Sequence, residues 1–288
     1  MITYNENTTE NILFKDTDLQ TVSLNNNTVF KKEEDWNGLT LTAGDNGADV
    51  SLTLNGTTGT VYFKREGQSW RDLTVSATIS LSKNQKLFLA RDFTSGSTSN
   101  YLNIKTLTGN IQASGNINSM IKKDDFESLT SISSYSYVFY SMFDGCTGLT
   151  QVPKLPATSL IEYCYLCMFR GCTGLTQAPE LPATSLGEYC YWFMFRGCTG
   201  LTQAPELPAT SLDSGCYDSM FYGCKSLNYV KAAFLTTPSS SYTSNWLYNV
   251  SSNGTFYKNV NATWDVSGTT GIPSTWTVIT YDPSEETT

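Results

Sequence analysis

The sequence has no histidine, few charged residues and no long apolar run. The lack of histidine removes the most common general base, the Ser-His and Cys-His nucleophile pairs, and most catalytic zinc sites. Chemistry by a pair of carboxylates stays open, so an enzyme is disfavoured rather than excluded. No apolar stretch approaches the roughly 18 residues of a membrane-spanning helix, so no membrane insertion is expected.

Basic residues are scarce as well, with 18 lysines and arginines against 26 acidic side chains. The net charge of −8 argues against a nucleic-acid partner, because such a partner requires a basic face. The N-terminus, MITYNENTTENILFKDTD, lacks the basic segment, apolar segment and cleavage site of an export signal. We therefore expect a protein made in the cytoplasm, unless an export signal once preceded this sequence.

What the sequence has in abundance is repetition with a period of 26 residues. The nineteen residues from Met168 to Leu186 recur without change from Met194 to Leu212. The pattern fades at both ends, as expected of a stacked array whose terminal units face water. One of the recurring positions, expected in the core, is the phenylalanine column of Phe143, Phe169, Phe195 and Phe221.

Each unit divides into an extended half and a half with helical periodicity. The segment LTQAPELP reads as extended, because its prolines forbid a helix. The following ATSLGEYCYWFMFRGC predicts a helix of roughly ten residues, with Ser185 and Glu188 as a capping box and Gly197 after its end. Strand, turn, helix and turn in 26 residues predict a leucine-rich-repeat-like solenoid. The expected apolar face of the helix consists of Leu186, Cys190, Phe193 and Met194.

The segments around the repeats predict β-structure, so the expected fold class is mixed β and α/β. Alternating residues in 36–120 predict an N-terminal antiparallel β-sandwich of about seven strands. Residues 1–35 predict a polar N-terminal arm, 121–235 the solenoid, and 236–288 a β-rich C-terminal cap with a polar tail. Three tryptophans are expected to fill that cap: Trp246, Trp264 and Trp276.

Seven of the eight cysteines fall into two columns of the 26-residue period, and Cys167 makes a lone CxxC with Cys164. A disulfide framework, a metal site and a redox motif are the functional interpretations. A buried ladder of small free thiols is favoured. On stacked helices, equivalent cysteines would lie about 8–10 Å apart, beyond the roughly 7 Å reach of a disulfide, although pairing between the columns stays open. One CxxC without histidine makes no zinc site, so no metal or cofactor is expected.

Aromatic residues supply the candidate ligand contacts. Tyr165, Tyr191 and Tyr217 form a column, and Trp192 is expected to lie exposed beside it. Stacked rings at regular spacing could hold a sugar chain through contacts between ring faces and CH groups. Packing of the tyrosines in the core is the favoured alternative.

Carboxylates recur as well, at Glu180 and Glu206, with Lys154 one period earlier. Two carboxylates on adjacent units could suggest a glycosidase pair. Solvated side chains are favoured, because repetition argues against an asymmetric active site. No catalytic residue is therefore predicted.

The phrase LPATSLGEYCYWFMFRGCTGLTQAPELPATSL resembles the BspA-type leucine-rich repeats of bacterial surface proteins. It is similar in particular to arrays of gut Bacteroides-group bacteria and their crAss-like phages. The signature covers about residues 135–230, and GNIQASGNINSMI and WLYNVSSNGTFYKNVNATWDVSGTTGIPSTWTVI are similar to the segments that flank such arrays. The resemblance implies an interaction protein rather than an enzyme.

Two settings follow from the resemblance. The first is a phage virion surface component, assembled in the host cytoplasm as a head fibre, capsid decoration or tail-associated receptor-binding protein. Its N-terminal region would bind other virion proteins, and its solenoid or cap would make multivalent contacts with host-surface or mucosal glycans or proteins. A homo-oligomer is expected. The alternative is a bacterial cell-surface adhesin whose export signal was removed.

Overall fold

The computed structural model describes residues 21–24, 27–31, 36–56, 59–94, 96–132 and 134–285. The chain divides into one unit up to Trp36 and a second unit from Asn37. In the first unit, strands β1 (Thr21–Leu24) and β2 (Asn27–Lys31) pair antiparallel. The rest of the predicted N-terminal arm lies outside the described residues.

The second unit begins with one seven-stranded sheet. Its strands are β3 (Thr40–Asn55), β4 (Gly59–Arg65), β5 (Arg71–Asp72), β6 (Ala77–Leu81), β7 (Lys86–Phe93), β8 (Tyr101–Ser114) and β9 (Leu149–Gln151). Their order is β5-β4-β7-β3-β8-β9, and β6 pairs with β3 beside this path. Every pair is antiparallel except β8–β9, which is parallel.

The predicted β-sandwich is wrong, because these strands form one sheet, in which β8 pairs with β9 of the first repeat instead of belonging to a separate pair of facing sheets. Ile104 on β8 donates its N–H to the Met142 carbonyl at 2.7 Å, and Ile111 donates to Gly148 at 2.9 Å. The side-chain amide of Asn103 donates to the Ser141 carbonyl at 2.6 Å. Strand β8 is therefore hydrogen-bonded directly to the first repeat.

The repeats build a stack of 26-residue rungs, called here the repeat stack: 135–160, 161–186, 187–212 and 213–238. In the second rung, backbone bonds alternate between two kinds. The N–H groups of Tyr165, Cys167 and Phe169 donate to carbonyls 25 residues later, at 3.0, 2.9 and 2.9 Å. Those of Met168 and Arg170 donate to carbonyls three residues earlier, at 3.1 and 3.2 Å. In the turns of this rung, N–H groups that join rungs therefore alternate with N–H groups that close turns.

The predicted helix, and with it the α/β solenoid, is wrong: within the described residues there are strands, turns and short 3₁₀ segments but no α-helix. Every fourth residue of the second rung's turns has positive φ, namely Tyr163 (57°), Cys167 (56°) and Gly171 (71°). Such left-handed residues interrupt the run of right-handed residues that a helix needs. Ser185, the expected N-cap, instead forms a parallel bridge with Ser159. The 3₁₀ segments are Ile117–Met120, Phe126–Ser128 and Pro283–Glu285.

The spacing between rungs explains why helices do not form. The rings of Phe143 and Phe169 lie 5.6 Å apart, as do those of Phe169 and Phe195. An α-helix with its side chains is about 10–12 Å wide. Helices in successive rungs could not approach so closely, whereas turns bonded like strands can. The fold is therefore almost entirely β-strand and turn.

The stack ends in a parallel sheet formed by β10 (Tyr229–Ala232), β11 (Thr255–Asn259) and β12 (Thr277–Tyr281). The three tryptophans expected to fill this end are buried, as predicted. Each indole N–H donates to a backbone carbonyl: Trp246 to Gly271 at 2.8 Å, Trp264 to Phe234 at 3.1 Å and Trp276 to Ser251 at 2.9 Å. Each ring thereby ties two segments of this end together.

A single hydrophobic core runs through the second unit from Leu39 to Trp276. The prediction that the phenylalanine column lies in the core is confirmed, because all four rings are fully buried. The domain divisions predicted after residues 120 and 235 lie inside this core and stay predictions.

Candidate functional site

The tyrosine column proposed from the sequence as a ligand contact lies in the core. Tyr165, Tyr191 and Tyr217 are 1%, 2% and 1% exposed, and successive rings stack at 5.8 and 5.9 Å between centroids. A ligand at the surface cannot contact them, so the assignment is corrected to core packing. Burial raises the pKa of all three phenols well above that of a free tyrosine.

A second tyrosine column, two residues earlier in each rung, does reach the surface. Its members, Tyr137, Tyr163 and Tyr189, are half-buried, and we call them the tyrosine strip. Their centroids lie 4.7 and 5.3 Å apart, with ring planes 6° apart in both pairs. The three residues have positive φ, which is unfavourable for an aromatic residue. Bonds between rungs hold this backbone, since Tyr163 N–H donates to the Glu188 carbonyl at 3.0 Å.

Stacking decides which atoms of the strip a ligand can contact. Neighbouring rings cover each other's faces, so only ring edges and phenol oxygens remain for contact with a ligand. The expected contact of sugar CH groups with ring faces therefore does not fit these tyrosines. Burial, and then neighbouring groups such as Glu162, raise the pKa of Tyr137 and Tyr163. The phenols of Tyr137 and Tyr163 therefore keep their protons near neutral pH and can both donate and accept hydrogen bonds.

The strip ends where glycine replaces tyrosine. Gly215 occupies the position one rung after Tyr189 and has φ +59°. A Cβ at Gly215 would lie 2.1 Å from Cε1 of Tyr189, so the last ring lies directly over this glycine's backbone. At the other end, Tyr140 approaches Tyr137 edge-on at 6.2 Å.

Trp192, the fourth candidate from the sequence, lies beside the strip and stays a candidate. Its ring is half-buried, 5.1 Å from that of Tyr189 and 4.7 Å from that of Phe193. Its Nε1 atom is buried, and no acceptor in the described part of the chain bonds to it. A buried donor without an acceptor costs about 1–3 kcal/mol, and a ligand can contact only the exposed part of this half-buried indole ring.

Sequence reasoning missed the strip because each EYCY motif offers two tyrosines. The columns themselves carried the distinguishing signal. The buried column begins with Phe139 and stays aromatic in every rung, as a core position should. The surface column changes from Tyr189 to Gly215, a loss of side-chain volume that a core position would not tolerate.

A shallow groove of about 470 Å³ follows the extended segments of the first two rungs. Its lining includes Gln151, Pro153, Gln177 and Pro179. Within the described residues, no backbone bond joins 176–183 to another rung, because prolines interrupt the pairing. The groove has no buried polar side chain aimed into it, so it is a weaker candidate than the strip.

The charged column of the sequence analysis is solvated, as expected, since Lys154, Glu180 and Glu206 are all exposed. Glu206 pairs with Lys231 at 3.0 Å. These placements give the glycosidase alternative no enclosed pair of carboxylates.

All eight cysteines are buried, as the ladder interpretation predicted. The thiols of Cys172, Cys198 and Cys224 donate to phenylalanine carbonyls of the preceding rung at 3.1, 3.0 and 3.0 Å. The expected 8–10 Å separation assumed stacked helices and does not apply to these rungs. Burial raises the thiol pKa of Cys167 to about 11 and that of Cys224 to about 12, so neither is a ready nucleophile.

No cluster of cysteines and carboxylates in the described ranges is placed to hold a metal ion. The same part of the chain has no helix with the length and apolar character needed to span a membrane. A scan against protein-family models, a search of curated proteins and a search of solved structures give no match to the chain. The likeness to BspA-type repeats therefore stays a resemblance.

Proposed function

We propose that this chain is a structural and interaction protein of a phage virion surface, which binds glycans or proteins of a host or mucosal surface through the tyrosine strip. The observation that carries the proposal is the strip itself: parallel rings at 4.7 and 5.3 Å on three half-buried residues. A bacterial cell-surface adhesin is the alternative setting for the same activity.

The chemistry of the strip suits recognition of hydroxyl-rich partners. Tyrosine offers a large amphipathic contact at low conformational cost, and stacking fixes these rings before binding. Each phenol can exchange hydrogen bonds with a sugar hydroxyl or a peptide group. Single contacts of this kind are weak, and many copies on one particle would raise the overall affinity. A homo-oligomer would add to this effect.

Replacement of Tyr137, Tyr163 and Tyr189 by serine tests the proposal. We expect the triple variant to lose retention on mucin-coated and host-cell surfaces while it stays folded. The matched control replaces Tyr229 and Tyr257, half-buried rings 5.2 Å apart in the C-terminal sheet, by serine. Equal retention of the triple variant and the control would refute a role for the strip.

The setting is tested separately by density-gradient fractionation of a culture that expresses the native gene, followed by proteomics of each band. Recovery with phage particles at fixed stoichiometry is the expected result, and recovery with cell envelopes would favour the adhesin. Attachment through the N-terminal region predicts that removal of residues 1–35 releases the protein from particles. Retention after that deletion would refute this mode of attachment.

A further inference from the structure

Next to the tyrosine strip, one surface column carries charges on successive rungs: Asp144, Arg170 and Arg196. Arg170 holds Asp144 through two bonds, Nε to Oδ1 at 2.9 Å and Nη2 to Oδ2 at 2.6 Å. This paired geometry is the strongest that a guanidinium makes with a carboxylate. The column therefore shows, within the chain itself, how one of its arginines binds a carboxylate.

Arg196 occupies the same position one rung later, and no carboxylate of the described residues forms an ion pair with it. Its Cζ lies 4.6 Å from the ring centroid of Tyr222 and 4.9 Å from that of Phe193. Across the described ranges, no oxygen atom forms a hydrogen bond or ion pair with the Arg196 guanidinium. The Arg196 side chain points toward the following rung, whereas Arg170 forms an ion pair with Asp144 of the preceding rung.

The two rings hold the Arg196 guanidinium without consuming its hydrogen-bond donors. A planar guanidinium stacks on aromatic faces and keeps its N–H groups directed outward in the plane. Its side chain therefore loses less freedom when it binds an anion than a free arginine would. Because the protein as a whole is acidic, with a net charge of −8, this local cation suits a small anion rather than a polyanion such as a nucleic acid.

Arg196 is joined to the end of the strip by an unbroken series of contacts. The ring of Phe193, against which Arg196 lies, stacks on Trp192 at 4.7 Å, and Trp192 lies 5.1 Å from Tyr189. This patch combines a guanidinium to which no oxygen in the described residues bonds, a half-buried indole ring and the Tyr189 side chain. Those groups match a ring that carries one carboxylate and several hydroxyls.

We infer that Tyr189, Trp192 and Arg196 form a subsite for an acidic sugar, with Arg196 binding its carboxylate in the manner of the Asp144–Arg170 pair. The inference rests on the proposed function, because it names the glycan class that the strip binds. One acidic residue of the neighbouring rung, Asp218, occupies the position one rung after Trp192. It is half-buried, and its carboxylate already accepts a hydrogen bond from the Ser219 hydroxyl at 2.7 Å.

The test measures binding of a hexuronate oligosaccharide and of its carboxyl-reduced, neutral counterpart by isothermal titration calorimetry. Arg196→Met removes the charge and keeps an apolar side chain against Phe193 and Tyr222. Arg71→Met is the matched control, because Arg71 also lies over a ring, that of Phe63 at 5.0 Å, but on β5. Arg196→Lys keeps the charge without the planar fork.

We expect wild type and Arg71→Met to bind the acidic form at least about tenfold more tightly than the neutral form. Arg196→Met should lose that preference because its affinity for the acidic form falls to that for the neutral form, and Arg196→Lys should fall between. If Arg196→Met prefers the acidic form as strongly as wild type does, the inference is overturned. Tighter binding of a sulfated oligosaccharide or of a glutamate-rich peptide than of the hexuronate oligosaccharide overturns it as well. Equal binding of both sugars by wild type overturns it as well and leaves the proposed function standing. If neither sugar binds while mucin retention still depends on the strip, only the inference fails; without that retention, the proposed function fails too.

Discussion

The glycine at the end of the tyrosine strip gives a sharp test of the strip's geometry. Gly215→Ala would place a Cβ 2.1 Å from Cε1 and 2.2 Å from Cδ1 of Tyr189, at φ +59°. Gly67→Ala provides a matched control, because Gly67 also has positive φ, +74°, and an added Cβ there meets no atom within 4 Å. The two substitutions share the backbone effect and differ in the contact with the ring.

The expected magnitudes follow from these distances. An alanine in the left-handed conformation costs about 1–2 kcal/mol, offset by about 0.4–1 kcal/mol from the stiffer unfolded chain. That net cost of about 1 kcal/mol should be the whole effect of Gly67→Ala. In Gly215→Ala the ring must also move by more than 1 Å to reach ordinary contact distance, and overpacking of this kind costs about 1–3 kcal/mol. We therefore expect Gly215→Ala to be the more destabilising by about 1–3 kcal/mol.

Urea unfolding of both variants, alone and combined with Tyr189→Ala, measures the difference. Without the Tyr189 ring the clash disappears, so Gly215→Ala should then cost no more than Gly67→Ala. If the two glycine substitutions already cost the same in the presence of Tyr189, the ring does not lie over Gly215, and the strip is misplaced.

Two further predictions concern buried groups. The hydroxyl of Tyr165 is buried without a partner in the described part of the chain, so Tyr165→Phe should leave the free energy of unfolding unchanged or raise it by up to about 1 kcal/mol; urea unfolding showing a clear loss would contradict this. Burial raises the thiol pKa of Cys216 and Cys224 to about 12, so the folded state keeps protons that the unfolded state loses above its ordinary thiol pKa of about 8.5. Stability should therefore fall as pH rises from about 8.5 toward 12, with a lower urea midpoint at pH 10 than at pH 7; a flat profile would refute the assignment.

The repeat period sufficed to predict burial for the columns that stay apolar in every rung. A position that stays apolar in every rung, such as that of Phe169 or Cys172, can only face a core shared by all rungs. The burial of the tryptophans at the C-terminal end was predicted by the same reasoning, since the last rung must be covered by apolar side chains.

The backbone of the turns could not be predicted, because two periodicities coincide there. Cys190 and Met194 are four residues apart, which fits one face of a helix and equally fits turns that repeat every four residues. Tyr189 and Phe193 distinguish the turns from a helix, because both have positive φ. This conformation could not be predicted from the sequence, since aromatic residues have no propensity for it. Hydrogen bonds between rungs impose it, and those bonds join residues 25 positions apart.

The candidate site was predicted only in part, for a related reason. Trp192, expected to be exposed, is half-buried, and the tyrosine considered as a contact in each EYCY motif lies in the core, which was the favoured alternative. Under a helical interpretation either tyrosine could face outward, depending on the phase of the helix. The contact of Arg196 with Tyr222 of the next rung depends on the spacing of the stack, which no local pattern specifies.

The identity of the segments Met168–Leu186 and Met194–Leu212 makes the molecule's length adjustable in whole steps. Insertion or removal of 26 codons within these stretches would create no foreign junction in the protein, because every residue would meet the same neighbours as before. Each step would change the stack by one rung, which separates successive phenylalanine rings by 5.6 Å. A lineage could thus lengthen or shorten this surface, and multiply its phenols and guanidinium groups, faster than point mutation could redesign it.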